Sequence, residues 1–539
     1  MKLTLTQLLV LVFFIFSNLC IAQGFENTEF KTSPSMDWWL RKNNDTLPSI
    51  NIEQAFDFIN RNLKLKSSIS VAVLDTDVDI NHKDFQKVLW KNSKEKSKNK
   101  IDDDKNSFVD DIHGWNFIGK KENGISLDYT LVDETRILRK FSEKELNKLY
   151  KEKKVLFNYD DVKESYNQTL ESLKKKIKRY EKSEPGYTFV MDTLKKIFNQ
   201  KSFTLENINA LKTKDTIIKK YIEYVKTTYK KGYPYNEFMD YLNFKRKSLE
   251  ICMNLNYDNR ELIGDDFEDI KDTRYGSPLV SGNTDKIDHG TKVSGVIARI
   301  FNLMEKDIKK RKLTIMPLVI TGVGDPTDKD TSLAIRYAVD NGAKVINLSQ
   351  SKSFSINDIL VDKALCYADK KDVLIIQSAG NEGLDLDKNV RYPNDTNNEG
   401  KEIVSNLLVV GAVTQPKKGN KRNILYKNSN YGKNTVDIYA PGSKIKTLLP
   451  NNKYKTSRGT SYAAAIVSGI ATLIRSYFPN LTATQVKQIL MDSGVNYDVE
   501  IEIKTKSDSK KKVYFSELSK SGKVLNVYNA LILADSIAK

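Results

Sequence analysis

The sequence is poor in the residues that disulfide, redox and metal–thiolate chemistry require. Its 539 residues include three cysteines and three histidines. No two cysteines have the CxxC spacing, so zinc and thiol-redox motifs of that type are excluded. Cys20 lies close to the N-terminus, which leaves Cys252 and Cys366 for the rest of the chain. Two reduced thiols are the expected state, and one disulfide between them is the alternative.

Long apolar runs are lacking after the first residues. The run at 8–16 is followed by Cys20-Ile21-Ala22, which offers small residues at the positions that a signal peptidase reads. The run is shorter than the ~20 residues that a membrane span needs. We therefore expect a signal peptide at 1–22 and an exported protein that is secreted, periplasmic or at the cell surface, with no transmembrane span afterwards. Lipid attachment through Cys20 is the alternative, and the bulky Leu19 disfavours it.

Acidic residues are outnumbered, and the excess of basic residues limits the choice of partners. There are 87 Lys and Arg against 69 Asp and Glu, which gives a formal charge of +18. Such a charge attracts anions without identifying them. No basic segment interleaves with aromatic residues that would stack on bases, so no nucleic-acid partner is expected. The charge is interpreted as a Lys-rich solvated surface around a core, since 40% of the residues are hydrophobic.

Strand-like and helix-like segments alternate over much of the chain. The runs rich in β-branched and apolar residues are 69–75, 343–348, 372–376, 407–411 and 436–439, and the helical patterns between them include 332–341 and 359–369. Strands that alternate with helices favour an α/β fold: a doubly wound, mostly parallel sheet with helices on both faces.

Residues 125–280 have a different pattern, which predicts an all-α, Lys-rich insertion. Apolar and aromatic residues recur at steps of three and four over 166–180 and again over 218–229. Ser183-Glu184-Pro185-Gly186 is expected to break the first helix. The insertion is interpreted either as a surface decoration or as a lid or docking arm that restricts substrates.

Two segments contain candidate groups for nucleophilic catalysis. His289, in Asp288-His289-Gly290-Thr291, opens a helix of small and apolar residues, and imidazole is the side chain suited to general base work near neutral pH. Ser461, in Gly459-Thr460-Ser461, lies in the first turn of another such helix, where the helix dipole favours negative charge. Taken singly, His289 would be a core histidine and Ser461 a helix cap.

Taken together, the motifs resemble those of the subtilisin-like serine peptidases. Val73-Leu74-Asp75-Thr76 is similar to the Asp motif, and the order Asp75, His289, Ser461 is the order of that family. Ser378–Gly383 resembles the oxyanion segment, and 428–442 a structural stretch that precedes the nucleophile. The resemblance covers about 50–120 and 280–535 and omits the insertion.

The resemblance implies roles for individual residues. Ser461 would attack the scissile carbonyl, His289 would move the proton, and Asp75 would hold the imidazole. Asn381 would donate its side-chain amide to the oxyanion of an acyl-transfer reaction. Substrate-binding positions would be Ser349, Gln350 and Ser351 on an edge strand and Ala379 and Gly380 at a pocket wall. The implied function is an exported serine endopeptidase that acts on proteins or peptides and needs no cofactor for its chemistry.

The implied domain order follows from these motifs. It is a signal peptide at 1–22, an N-terminal extension at 23–50, a catalytic domain in two parts at 51–124 and 281–539, and the helical insertion at 125–280. About 30 residues separate Ala22 from Ile52, which predicts no separable prodomain. Residues 525–539 are expected to form the last helix.

Some positions depart from the family pattern. Asp77 stands where Gly is usual, and a carboxylate near His289 would favour the imidazolium. Ser351 also replaces a common Gly and would crowd the specificity pocket. Lys292 stands where a second histidine is frequent, and Tyr462 replaces an oxidisable Met after the nucleophile. A competing interpretation, a binding protein on a peptidase fold, predicts a damaged triad, whereas all three residues are present.

An acidic loop is a candidate calcium site. Asp102, Asp104, Asn106 and Asp110 alternate as oxygen ligands do in calcium loops, but the central Gly and the closing Glu are missing. A solvated acidic turn is the alternative interpretation. Asp84 matches a calcium-ligand position of the family more weakly.

Overall fold

The computed structural model describes residues 37–41, 47–120, 124–230, 234–282, 284, 287–303, 313–416, 423–504 and 510–539. The predicted signal peptide at 1–22, with Cys20, lies outside these residues. The described chain divides into a larger unit, residues 37–162 and 255–539, and a smaller unit, residues 163–254.

The helices are α1 (Ile52–Asn62), α2 (Asp133–Lys140), α3 (Glu143–Lys151), α4 (Tyr159–Phe198), α5 (Leu205–Ala210), α6 (Thr216–Lys230), α7 (Tyr235–Lys247), α8 (His289–Asn302), α9 (Asp328–Asp340), α10 (Asp358–Lys370), α11 (Thr460–Tyr477), α12 (Ala483–Asp492) and α13 (Val527–Ala538). The strands are β1 (Ile69–Asp75), β2 (Trp115–Asn116), β3 (Gly119–Lys120), β4 (Ile125–Ser126), β5 (Leu313–Val319), β6 (Ala343–Leu348), β7 (Leu374–Ser378), β8 (Leu407–Val413), β9 (Ile438–Pro441), β10 (Ile445–Leu449), β11 (Lys453–Ser457), β12 (Val495–Asn496), β13 (Glu500–Lys504), β14 (Lys510–Tyr514) and β15 (Lys523–Val524).

The larger unit is built around a nine-stranded sheet in the order β12-β15-β9-β8-β7-β6-β1-β5-β2. Its strand pairs are parallel except for β12 with β15. β1 lies between β5 and β6, so the chain adds one strand beside β1 and then crosses to its other side. The order therefore reverses at β1, and in such sheets functional groups gather where it reverses.

Helices cover both faces of this sheet, as the alternating side chains of β1 show. Val71 and Val73 belong to one hydrophobic core, together with residues of α8 and α11. Ala72 and Leu74 belong to a second core on the opposite face, together with residues of α9 and α10. Successive strand residues point to opposite faces, so the sheet is enclosed on both sides. The predicted doubly wound α/β fold is confirmed.

The described part of the N-terminal extension is packed into the larger unit. Trp38, Trp39 and Leu40 are buried in the same core as α11. The Trp38 indole nitrogen donates to the Ser443 carbonyl at 2.9 Å. Residues 37–41 thus contribute to the core of the unit that holds the candidate site.

The helical insertion is shorter in the structure than the predicted range 125–280. Residues 125–162 and 255–280 belong to the larger unit. Tyr129 forms a bridge with Val323, and the Asn259 amide donates to the Tyr129 carbonyl at 2.7 Å. Arg260 is buried in ion pairs with Asp265 and Asp330. These contacts hold both flanks against the loop after β5 and the start of α9.

The predicted helix break at 183–186 is wrong, because α4 continues through Pro185. An interior proline costs a helix ~3 kcal/mol. Here the following turns contribute Tyr187, Val190 and Leu194 to a buried cluster of the smaller unit. Burial of such side chains contributes about 1.5–3 kcal/mol each, which exceeds that cost.

The structure also bears on the cysteines and on membrane spans. Cys252 and Cys366, the two cysteines among the described residues, form no disulfide. Over the described ranges, none of the helices combines the length and apolarity that crossing a bilayer requires.

Candidate active site

The predicted site residues meet at the carboxyl ends of neighbouring strands. Asp75 is the last residue of β1 and Ser349 follows β6 directly. Asn381 follows three residues after the end of β7. Because β1, β6 and β7 are adjacent and parallel, these three residues lie along one edge of the sheet.

Asp75 and His289 form a direct contact although they are 214 positions apart. The His289 Nδ1 lies 2.7 Å from Asp75 Oδ1. Asp75 is fully buried, whereas the His289 side chain is 34% exposed. The same Asp75 oxygen accepts from the Thr76 backbone N–H at 2.7 Å. The carboxylate is therefore fixed, and it orients an imidazole that is partly exposed to solvent.

Close packing at the start of α8 brings the imidazole to this carboxylate. The Gly290 N–H donates to the Thr76 hydroxyl at 2.8 Å. A Cβ on Gly290 would lie 2.1 Å from the Thr76 carbonyl oxygen. Only glycine permits this approach, so the Gly290 position explains why His289 can begin a helix directly against the end of β1.

Ser461 lies in the first turn of α11, a helix whose residues are all buried. Its hydroxyl donates to the Ser349 carbonyl at 3.2 Å, and the Ser349 hydroxyl donates to the Ser461 carbonyl at 3.0 Å. Among the described contacts, Ser461 Oγ is bonded to Ser349 and not to His289. The His289 ring lies 6.3 Å, centroid to centroid, from the ring of Tyr462. The imidazole is therefore beside the helix start.

Asn381 is fixed at the same helix start. Its side-chain oxygen accepts from the Thr460 backbone N–H at 2.9 Å. This leaves the two amide hydrogens of Asn381, which is exposed, for another acceptor. The Ser461 backbone N–H lies in the first turn, where a helix offers no internal acceptor. Both donors are thus available at the beginning of α11.

Thr76, Thr460 and Asn430 support the site and were not among the predicted site residues. The Thr460 hydroxyl accepts from the Gly380 N–H at 3.1 Å. The buried Asn430 amide donates to the Ala379 carbonyl at 2.8 Å, and its oxygen accepts from Leu384 at 2.8 Å. The sequence signal for Asn430 was the segment 428–432, which was interpreted only as structural.

The predicted substrate-binding residues differ in exposure. Ser349 and Ala379 are buried, at 4% and 1% exposure, so only their backbones are suited to contact a substrate. Gln350 and Ser351 are half-buried. Gly380 has a φ of +99°, and a Cβ there would lie 3.3 Å from the Ser351 hydroxyl. The structure therefore brings the two predicted segments together at Ser351 and Gly380.

Asp77 does not contact the imidazole. Its carboxylate is fully buried and accepts from the Gly282 N–H at 2.8 Å. Burial, with a smaller contribution from the charge of Asp128, raises the pKa of Asp77 to about 6, although the hydrogen bonds from Gly282 and Ser126 lower it. Asp77 thus binds the backbone of Gly282 and not the imidazole that it was expected to influence.

Lys292 is a half-buried cation one turn beyond His289. Its ammonium group pairs with Asp288 at 2.7 Å. Burial disfavours the charge, but Tyr462, Asp288 and Asp75 together raise the pKa of Lys292 above its usual value. Lys292 therefore stays charged beneath the site, where the family often has a second histidine.

The acidic loop is arranged differently from the predicted calcium ligands. Asp102 accepts from the backbone of Asn106 and Ser107, and Asp110 from the backbone of Asn99 and Lys100. The carboxylates that approach within 4.8 Å of one another are Glu95, Asp104 and Asp111. Of the predicted set only Asp104 belongs to this group, because the fold brings in residues from either side of the loop.

Asp111 is the most enclosed of these three carboxylates. It accepts from the Tyr337 hydroxyl at 2.5 Å and from the Asn92 amide at 2.8 Å. Burial raises the pKa of Asp111 to about 6, although these hydrogen bonds lower it. No ion pair to any of the three carboxylates occurs within the described part of the chain.

Comparison with known proteins relates this chain to one family. The family model described as the subtilase family matches residues 66–512. Subtilisin DY of Bacillus licheniformis is 31% identical over 41% of this chain and 76% of its own length. The cell wall-associated protease of Bacillus subtilis is 34% identical over 42% of this chain and 24% of its own, and subtilisin-like protease 3 of Plasmodium falciparum is 28% identical over 38% and 28%. The chain thus spans only about a quarter of the length of the last two relatives. Because the family model covers well over half of its residues, the chain belongs to the subtilase family.

Proposed function

We propose that this protein is an exported serine endopeptidase in which Ser461 is the nucleophile, His289 the general base and Asp75 its positioning partner. The observation that carries the proposal is the 2.7 Å contact between His289 Nδ1 and the fully buried Asp75. This contact leaves Nε2 as the nitrogen that can accept a proton. The ring also lies beside the helix turn that contains Ser461.

The first step begins with a rotation of the Ser461 side chain away from the Ser349 carbonyl, its present acceptor at 3.2 Å. His289 Nε2 then takes the hydroxyl proton while the oxygen attacks the scissile carbonyl. The protonated imidazole gives that proton to the leaving amine, and an acyl-enzyme remains. Water then attacks the acyl-enzyme, with His289 again as the base, and this releases the carboxylic acid and regenerates Ser461.

Negative charge on the substrate oxygen is stabilised by two donors in this proposal, the Asn381 side-chain amide and the Ser461 backbone N–H. The hydrogen bond from Thr460 to the Asn381 oxygen supports it, because it presets which end of the amide is free. Preorganised donors of this kind are worth about 2.7–4 kcal/mol of barrier, a magnitude measured in a related peptidase.

Calcium binding is proposed as structural rather than catalytic. Glu95, Asp104 and Asp111 offer oxygen donors, the ligand type that calcium prefers. A bound cation would offset the repulsion among these close carboxylates and would compensate the burial that raises the pKa of Asp111. Calcium is expected to raise the melting temperature of the wild type over its value in chelator. A Glu95→Gln, Asp104→Asn variant should lose that difference.

Export is proposed from the predicted signal peptide and from the printed description of the Bacillus subtilis relative as cell wall-associated. Expression of the full chain in a bacterial host should give protein outside the cytoplasm that begins near Gln23. Retention of the entire product in the cytoplasm would overturn this part.

An active-site serine probe tests the enzymatic proposal. A fluorophosphonate should label wild type at Ser461, and labelling should disappear in Ser461→Ala. Ser476→Ala is a matched control, since Ser476 is a buried serine of the same helix whose hydroxyl bonds the Leu473 carbonyl. Labelled wild type and Ser476→Ala together with unlabelled Ser461→Ala support the proposal. A folded wild type that is neither labelled nor able to cleave denatured casein contradicts it and favours a binding role.

A further inference from the structure

A cavity of the larger unit is lined by residues of the segment that follows Ser349, a contact of the proposed nucleophile. Gln350 and Ser351 line it, together with residues of α9, α10 and the Tyr392-Pro393 turn. Ser349 precedes these two residues, and its carbonyl is the acceptor of the Ser461 hydroxyl at 3.2 Å. A substrate strand that runs along 349–351 would direct alternate side chains toward one side, as paired strands do. The cavity is therefore within reach of a side chain on the acyl side of the cleaved bond.

One part of the cavity wall is electrically balanced. Asp328 pairs with the Lys352 ammonium at 2.7 Å, and Lys352 also pairs with Asp133 at 2.6 Å. Asp133 is in turn bound by Arg136 at 2.5 Å. All four side chains are at most 8% exposed. Two carboxylates and two cations therefore cancel, and this network leaves no charge for a ligand.

Two further carboxylates of the cavity wall are not balanced. Asp358 and Asp362 lie four residues apart on α10, so they share one face of the helix, and both line the cavity. Asp358 accepts from the Ile359 N–H at 2.9 Å and from the Asn398 side chain, and within the described ranges neither carboxylate forms an ion pair. Like charges at this spacing repel each other. A net negative wall thus remains after the Lys352 network is counted.

A buried hydroxyl of the same cavity also lacks a partner. Tyr392 is 5% exposed and lines the cavity, and its hydroxyl has no hydrogen-bond partner among the described residues. Buried polar groups are nearly always hydrogen-bonded, so this hydroxyl is available to a polar group that enters the cavity. The cavity therefore combines two carboxylates that form no ion pair with one hydroxyl that has no hydrogen-bond partner among the described residues.

We propose that this cavity is a substrate pocket for a lysine or arginine side chain on the acyl side of the scissile bond, with Asp358 and Asp362 as its charge-recognising residues. An ammonium or guanidinium group supplies several N–H donors and a positive charge, which matches the unpaired groups of the wall. In this proposal the aliphatic stem passes Gln350, Ser351 and Tyr392, which line the cavity. This substrate class deepens the proposed function and rests on it.

The ionisation of Asp362 gives the pocket a pH response. Burial, then the charges of Asp358 and Asp328, raise the pKa of Asp362 to about 7. The titratable groups that line the cavity with it are Asp328, Asp358, Lys352 and Tyr392. Asp362 is mostly neutral at pH 6 and mostly charged at pH 8, so preference for a basic side chain should increase over this interval.

A positional peptide library tests the proposal. Wild type should cleave substrates with Lys or Arg at one acyl-side position at least tenfold faster, in kcat/KM, than matched substrates with Gln or norleucine there. The double variant Asp358→Asn, Asp362→Asn should lose most of this preference, measured as the ratio of kcat/KM for basic and neutral substrates. Asp369→Asn is the control on the same helix, because Asp369 does not line the cavity and its carboxylate accepts from Ser405. Equal cleavage of basic and neutral substrates by wild type overturns the proposal, and so does a preference that the double variant keeps.

Binding without turnover separates this proposal from the enzymatic one. Calorimetric titration of Ser461→Ala with a lysine peptide and its norleucine analogue should show tighter binding of the lysine peptide, with a ratio that rises between pH 6 and pH 8. In the Asp362→Asn background the ratio should be independent of pH. A protein that the serine probe does not label but that binds the lysine peptide selectively would contradict the peptidase proposal and support the pocket. A labelled protein without basic selectivity would contradict the pocket alone.

Discussion

The larger unit and the smaller helical unit differ most in what they bury. In the larger unit many ionisable side chains are almost inaccessible, among them Asp75, Asp77, Arg260 and Lys352. Among the described residues of 163–254, the buried polar side chain is Ser248, and the charged residues lie at the surface. The cluster around Tyr187 and Leu194 is apolar and aromatic.

The two units therefore place their charged residues differently. Burying a charge costs several kcal/mol unless it is paired and hydrogen-bonded. The larger unit bears that cost at Asp75, where a fixed carboxylate can direct an imidazole. The smaller unit avoids it and places its ion pairs, such as Arg246 with Glu181 and Glu184, where they are 24–44% exposed. Equivalent substitutions in the two units should therefore have very different effects.

The largest difference is expected for an Asp→Asn substitution. Asp75→Asn keeps the shape of the side chain but removes the charge that stabilises the imidazolium, and in related catalytic triads such a change lowers kcat by roughly 10⁴. Asp215→Asn in the smaller unit should leave kcat within twofold, because asparagine can replace Asp215 as acceptor for the N–H of Ile217. Steady-state kinetics on a chromogenic peptide measures both. An Asp75→Asn enzyme within tenfold of wild type would remove Asp75 from the mechanism.

A pair of asparagine substitutions extends the comparison. Asn381→Ala should lower kcat by about 10²–10³ with little change in KM, since an oxyanion donor acts in the transition state. Asn207→Ala removes the capping box of α5 and should change only the stability of that helix, by about 1 kcal/mol. A fall in kcat/KM that arises from KM alone would assign Asn381 to substrate binding instead.

Stability provides the third test, with one arginine in each unit. Arg260 is 5% exposed and bound to Asp265 and Asp330. Asp265 keeps its pair with Lys329, but Arg260→Met leaves the buried Asp330 without an ion pair and should cost about 3–5 kcal/mol. Arg246, 38% exposed, pairs with Glu181 and Glu184, and Arg246→Met should cost about 1 kcal/mol or less. Midpoints of urea denaturation measure the two effects. Equal shifts would show that burial does not govern the strength of these pairs.

The smallest effect concerns oxidation. Tyr462 stands beside the proposed nucleophile, whereas the smaller unit holds the half-buried Met239. Mild peroxide should convert Met239 to the sulfoxide in a peptide map and leave hydrolysis nearly unchanged. Tyr462→Met should make the enzyme sensitive to the same treatment. Rapid loss of wild-type activity before any methionine is modified would contradict this prediction.

Much of the sheet could be predicted because its central strands are apolar and continuous. The strands predicted at 69–75, 343–348 and 407–411 correspond to β1, β6 and β8. β5 was missed, since Pro317 lies inside it and proline argues against a central strand. Short strands such as β2 and β15 have two residues each and leave no periodic signal.

The site was less accessible to sequence reasoning wherever it depends on tertiary contacts. Family motifs pointed to Asp75, His289 and Ser461, and the structure brings Asp75 to His289 directly. The insertion boundaries could not be predicted, because amphipathic helices look alike whether they pack on the larger unit or on one another. Glu95 and Asp111 were missed as metal-ligand candidates for the same reason, since only the fold brings them to Asp104.

The position of β1 in the sheet has a consequence for the integrity of the chain. β1 is hydrogen-bonded on one side to β5 and on the other to β6, both of which follow the helical unit in sequence. A single cut in the exposed segment 199–204 would leave Asp75 and His289 on different polypeptides. The two pieces would still share a continuous hydrogen-bonded ladder and a common core. Separately expressed halves should therefore regain activity on mixing, in a manner that depends on their concentration.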